Sequence, residues 1–200
     1  MEATHDPSRI LWGKLIVEQK DALQRIGRNL VNFQRLEHLL RDLLPTLRVK
    51  GASGSDVQQA IEKRRKEIHK KGLGDLSQSF HSTVFSASPN VDRDNDPKSP
   101  SFSIEFQIDA PEEHIHTTKK KWRRLVEERN KLVHSQLLRV DFEKPEDCAE
   151  LCSRLDAQNA EVCSMLDQLA MLHRCRSKFA TELEHRFNDG KLFESDVTKA

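Results

Sequence analysis

Long apolar runs are missing from this sequence. No stretch approaches the ~20 apolar residues that span a bilayer. The opening "MEATHDPSRILWGKLIV" holds no apolar segment of secretory length. A soluble, cytoplasmic protein with no membrane contact is expected. Cysteine is scarce and confined. Cys148, Cys152, Cys163 and Cys175 fall in one helical stretch, with no partner cysteines elsewhere. That argues against a disulfide framework and for a reducing compartment. Cys148 and Cys152 stand four apart, but no second pair at knuckle spacing follows, so no metal site is expected. Cys148, Cys152 and Cys163 read as small apolar residues on a packed face. An excess of charge is missing too. The net charge is +1, although 32% of residues are charged. A general nucleic-acid coat is excluded, and any polyanion site must come from local clustering.

What is present is mostly amphipathic helix. "DPSRILWGKLIVEQKDALQRIGRNLVNFQRLEHLLRDLLP" predicts a first helix over residues 8 to 44, with Asp6 or Ser8 as cap and Pro45 as stop. Leu11, Leu15, Ala22, Ile26, Phe33, Leu40 and Leu44 return to one face. A polar connection, "VKGASGS", follows. A second helix starts near Ser55 and breaks at Gly72 and Gly74. "DLSQSFHSTVF" reads as a short third helix capped by Asp75 or Ser77. "SFSIEFQID" alternates Phe102, Ile104, Phe106 and Ile108, the only good strand signal in the chain. Its partner is expected in the preceding polar loop or in a second subunit. A fourth helix begins at "APEEH", with Pro111 suited to the first helical position, and runs to Arg139. A long fifth helix carries Leu151, Leu155, Val162, Leu166, Leu169 and Leu172 on one stripe. The expected fold is all-α, an antiparallel bundle of four to five helices. It forms a single domain over residues 1–187, with a small extended or hairpin insertion at 86–110 and a tail at 188–200.

The fourth helix poses a physical problem. Trp122, Leu125, Val126, Val133 and Val140 lie on one side of it, and Arg129 projects from the centre of that arc. A buried, unpaired guanidinium costs several kcal/mol, so it must be paired or sit at an interface. Glu37, within the apolar stripe of the first helix, is the expected partner. Glu127, Asn130 and His134 share an adjacent face at spacings of three and four. On an ideal helix Arg129 and His134 lie about 140° apart, too far to converge easily within one chain.

Two basic runs stand out against a near-neutral chain. One holds Lys119, Lys120, Lys121, Arg123 and Arg124, extended by Lys131. The other holds Lys63, Arg64, Arg65, Lys66, Lys70 and Lys71. As solvated faces they need no function. As a local polyanion site, they would contact phosphates, supplying affinity rather than sequence choice.

"RNKLVH", Arg129 to His134, resembles the signature of the HEPN superfamily (higher eukaryotes and prokaryotes nucleotide-binding). That signature is an Arg, commonly followed by Asn, then a His four to six residues on. "FQRLEHLLRDLL" and "KGLGDLSQSF" are similar to segments that members carry before the motif helix. The resemblance spans about residues 10 to 180. It implies a metal-independent endoribonuclease without cofactor, of a toxin or antiviral defence type, working as a homodimer whose motif helices face each other. Arg129 would then reach the dimer seam and work with His134 of the second subunit.

The implied chemistry suits the residue types. RNA carries its own nucleophile, the 2′-hydroxyl. His134 would move the proton, since histidine titrates near neutral pH. Arg129 would stabilise charge on the phosphorane oxygens. Asn130 would orient His134 or the phosphate, and Glu37 would hold Arg129. A toxin branch of the family carries a Tyr two residues after the His, the target of a partner nucleotidyltransferase. That position is Gln136 here, and the chain has no tyrosine. A cognate antitoxin or regulatory protein would have to act by another route. The alternative reading is a non-catalytic HEPN-like module that binds RNA, a nucleotide or a protein.

Overall fold

The computed structural model describes residues 7–51, 54–85 and 102–188. They form five α-helices and one two-stranded sheet, the all-α bundle expected. In order these are α1 (Pro7–Leu43), a 3₁₀ turn (Leu44–Thr46), β1 (Arg48–Gly51), α2 (Gly54–His69), α3 (Leu73–Val84) and β2 (Phe102–Glu105). Then follow α4 (Glu112–Lys131), a π-helical turn (Leu132–Gln136), a 3₁₀ turn (Leu137–Arg139) and α5 (Pro145–Asn188). Residues 86 to 101, most of the expected insertion, lie outside the described residues.

The spine is the pair α1 and α5. On α1, Ala22, Ile26, Asn29, Phe33, Leu36, Leu40 and Leu43 are buried. On α5, Leu151, Leu155, Gln158, Val162, Met165, Leu169 and Leu172 are buried. Both series step by three and four, the spacing of a helix seam. The contact between α1 and α5 is apolar except at two neighbouring levels, one where Asn32 Nδ2 donates to Asn159 Oδ1 at 2.8 Å and one a turn earlier. There Asn29 Nδ2 donates to Gln158 Oε1 at 2.9 Å and to the Leu155 carbonyl at 2.8 Å. Arg25 and Arg28 clamp Asp156 beside it. These contacts, with Arg176 donating to Thr46 at 2.6 Å farther along, show that α1 and α5 run parallel. The helices between them supply the antiparallel contacts. α4 runs against α5, with Arg124 on Glu161 and Arg139 facing Asp147 across a groove.

Three local expectations change. Among the described residues β2 finds its partner far back in the chain. It pairs antiparallel with β1, Val49 opposite Ile104, in the segment read as a polar connection. Only Val49 of that four-residue strand is buried, so its period-two signal was too short to read. Phe106 donates its N–H to the Leu47 carbonyl and Ile108 to that of Val84, which ties the chain after β2 to the bundle. Second, α3 begins at Leu73 behind Gly72, so Asp75 lies in its first turn and Ser77 donates to the Gly74 carbonyl instead of capping. Third, Pro111 precedes the first residue of α4 and its carbonyl accepts the N–H groups of His114 and Ile115. No helix among the described residues is long and apolar enough to cross a membrane.

Candidate functional site

The motif helix is buried along Trp122, Leu125 and Leu132. Those positions continue by three and four through Arg129 to Gln136, which puts the guanidinium on the inward stripe. Val133, expected on that stripe, is 42% exposed, and Leu132 takes its place. Trp122 belongs to the core of its own chain, its ring 5.9 Å from that of Phe80. It is therefore not a seam residue. The exposed apolar residues beside the motif are Val133 and Leu138.

The approach of Glu37 to Arg129 is observed. Glu37 Oε1 lies 3.5 Å from Arg129 Nη2, with the carboxylate side chain 13% exposed and the arginine 33% exposed. Glu37 Oε2 lies 3.1 Å from Arg41 Nη2 on the same helix, and that nitrogen also donates to the Lys71 carbonyl at 3.0 Å. Arg41 was missed in the sequence, although its place four residues after Glu37 is the spacing of a helical ion pair. Arg129 Nη1 donates to Asn130 Oδ1 at 3.2 Å. The arginine is thus gripped from below and beside while part of its fork faces solvent.

His134 is exposed, and it lies in the π-helical turn. A turn closed by i→i+5 bonds holds more residues than an α-turn, so each residue advances less than ~100°. By that geometry the angle between Arg129 and His134 is smaller than the ~140° of an ideal helix. Such turns recur at functional sites. No residue pattern in the sequence announced this one.

The first basic run is divided between two sides of α4. Lys119 and Arg123 face α3. Lys121, Arg124 and Lys131 border grooves against α5. Lys120 is exposed. Arg124 is engaged by Glu161, and Glu128 lies 3.7 Å from it, so it is the least available for phosphate. In the second run, Arg64 donates to the Arg48 carbonyl at 2.5 Å and Lys71 to Ser79 at 3.0 Å. Those two cations brace the fold.

Cys148 is buried, Cys152 and Cys163 are half-buried, and Cys175 is exposed. Burial pushes the thiols of Cys148 and Cys152 above the ordinary range, which suits packing rather than nucleophilic chemistry. Among the described residues no three His, Cys, Asp or Glu side chains gather as metal ligands would. No family model matches this chain, and no curated protein or solved structure matches it significantly.

Proposed function

We propose that the chain is a metal-independent endoribonuclease of HEPN type, a cytoplasmic toxin or antiviral defence effector acting as a homodimer. The observation that carries this reading is the half-exposed Arg129. It is held by Glu37 and Asn130 on the inward stripe of a helix, with an exposed histidine one turn on. A cation held that way has an anion-binding edge with little left to reorganise.

In this reading RNA lies across the motif face. His134 accepts the proton of a 2′-hydroxyl, and O2′ attacks the adjacent phosphorus. Arg129 compensates the charge on the non-bridging oxygens. The bond from phosphorus to O5′ breaks, and the departing oxygen takes its proton from the His134 imidazolium just formed or from water. The products are a 2′,3′-cyclic phosphate and a 5′-hydroxyl. Val133 and Leu138, exposed beside the motif, are suited to the contact between two motif helices.

The alternative, a non-catalytic HEPN-like module that binds RNA, draws on one observation. No described side chain hydrogen-bonds or pairs with the His134 imidazole to orient it. One experiment separates the two. Purified chain is incubated with total RNA in EDTA beside its His134→Ala variant. Cleavage by the wild type alone, with ends carrying cyclic phosphate, supports the ribonuclease. Equal cleavage by both proteins removes His134 from the mechanism, and binding without cleavage selects the module.

A further inference from the structure

Upstream of the motif, α3 and α4 enclose a groove of about 560 Å³. That is within the ~300–1,000 Å³ usual for small-ligand sites. Phe85, Trp122 and Val126 give it apolar wall, and Lys119 and Arg123 stand on its α4 side. His81 lines it from α3. The His81 side chain is 8% exposed, and its Nε2 has no hydrogen-bond partner among the described residues. A buried polar nitrogen is costly to leave unsatisfied, and such atoms call for an account. The His81 ring lies on Phe85, centroids 4.7 Å apart. Burial, and then the charge of Lys119, push the imidazole below its ordinary pKa. A neutral imidazole offers one donor and one acceptor.

The groove ends on α4 at Val126 and Glu127, just before the motif. Lys119, Arg123, Glu127, Asn130 and His134 follow one another at steps of four, four, three and four, so they share one face. Arg123 and Asn130 are about 10 Å apart along the helix axis.

We propose that this groove is a subsite for one nucleotide. Its base lies against the apolar wall, the base edge bonds His81, and its phosphate is held by Lys119 and Arg123. The assignment rests on the reading above in one respect, that this nucleotide belongs to an RNA strand whose neighbouring phosphate reaches Arg129 and His134. The composition of the groove supports it. Planar apolar contact, one hydrogen-bonding ring and two cations match a base with its phosphate better than they match a peptide or a simple anion.

The test is equilibrium binding of a fluorescein-labelled single-stranded RNA of about ten nucleotides, with AMP as competitor. The proteins are the full chain, Ser82→Trp and Arg123→Ala. Ser82 and Arg123 are exposed on the groove walls, so an indole can fill the space and a guanidinium can be removed without opening the core. Circular-dichroism melts verify folding. Each variant should bind the RNA about tenfold more weakly, a change of ~1.4 kcal/mol, within the range of one base stacked on an aromatic ring. If AMP competes on the wild type and less on Ser82→Trp, the groove also takes free nucleotides. If AMP does not compete while RNA weakens, it takes them only within a strand. Unchanged RNA affinity in both folded variants overturns the proposal, as does failure of the wild type to bind either probe. Cleavage is read separately. Weakened binding with no cleavage by the wild type keeps the subsite and discards the ribonuclease. Cleavage that needs His134, with binding unchanged in both variants, does the reverse.

Discussion

Glu37 on α1 serves two guanidinium groups at once, Arg129 of α4 at 3.5 Å and Arg41 of its own helix at 3.1 Å. The carboxylate is nearly buried, while Arg129 reaches solvent. Glu37→Gln therefore leaves two cations facing one neutral amide. The expected loss of stability is about 1–2 kcal/mol, below that of a fully enclosed pair because solvent screens Arg129. Urea denaturation of Glu37→Gln, Arg129→Gln and the double variant gives the coupling between them. Strictly additive single losses would mean that the pair contributes nothing to the fold.

His81 gives stability a pH dependence whose sign is fixed. Burial first, and Lys119 second, lower its pKa from the ordinary 6.5. Just below pH 6.5 the unfolded chain binds a proton that the folded protein resists, so stability falls as the pH drops through that window. Above it both states carry a neutral ring and the residue adds no slope. His81→Phe should lose less stability than the wild type between neutral and mildly acidic pH, read by urea midpoints on each side of the window. Parallel curves for the two proteins would remove His81 as the source.

The long-range architecture was legible where the period was long. The stripes of α1 and α5 could be read because a buried seam repeats over many turns. Glu37 and Arg129 could be matched because each breaks an apolar stripe, and breaking it unpaired is costly. Three features gave no such signal. β1 has one buried residue, too few for alternation to register. The π-helical turn at Leu132–Gln136 depends on how the helix end meets its neighbours and leaves no pattern in the sequence, whereas Leu132, three residues after Arg129, continues the α-helical stripe that Val133 was expected to fill. His81 stands out in no sequence pattern, and only its packing beside Phe85 leaves its Nε2 buried without a hydrogen-bond partner among the described residues. The basic run was visible as a string of letters, but its division between two faces of α4 is a property of the helix in place.

That division changes what a substitution of the three lysines should do. Lys119, Lys120 and Lys121 are all exposed, yet only Lys119 lies on the face that leads to His134. Replacing all three with Ala should leave the melting temperature almost unchanged. It should reduce the salt slope of single-stranded RNA binding by about 0.7 for each phosphate that is no longer neutralised. Lys119→Ala alone should give much of that reduction, and Lys121→Ala little. Equal effects from the two single variants would show that RNA is not guided along the Lys119 face. An unchanged slope in the triple variant would leave the run as a solvated surface.

Whether the motif works across two subunits can be decided by mixing two inactive proteins. In a two-fold dimer whose sites pair Arg129 of one chain with His134 of the other, Arg129→Ala and His134→Ala each destroy both sites. A mixed dimer is different. One of its sites has neither group, and the other keeps an intact arginine from one chain and an intact histidine from its partner. Free exchange of equal amounts makes half the dimers mixed, so about a quarter of wild-type cleavage should return. Sites contained within single chains would stay dead in every combination, because each chain lacks one of the two groups. His134→Ala should remain folded and dimeric, since His134 is exposed on the motif turn. Arg129→Ala should melt lower, because it strands Glu37. Sedimentation at micromolar concentration gives the second half of the result. Twice the chain mass with recovered cleavage establishes the composite site. Twice the mass with no recovery returns both groups to one chain, where the π-helical turn would have to bring them together. A monomer at every concentration would remove the dimer from the mechanism.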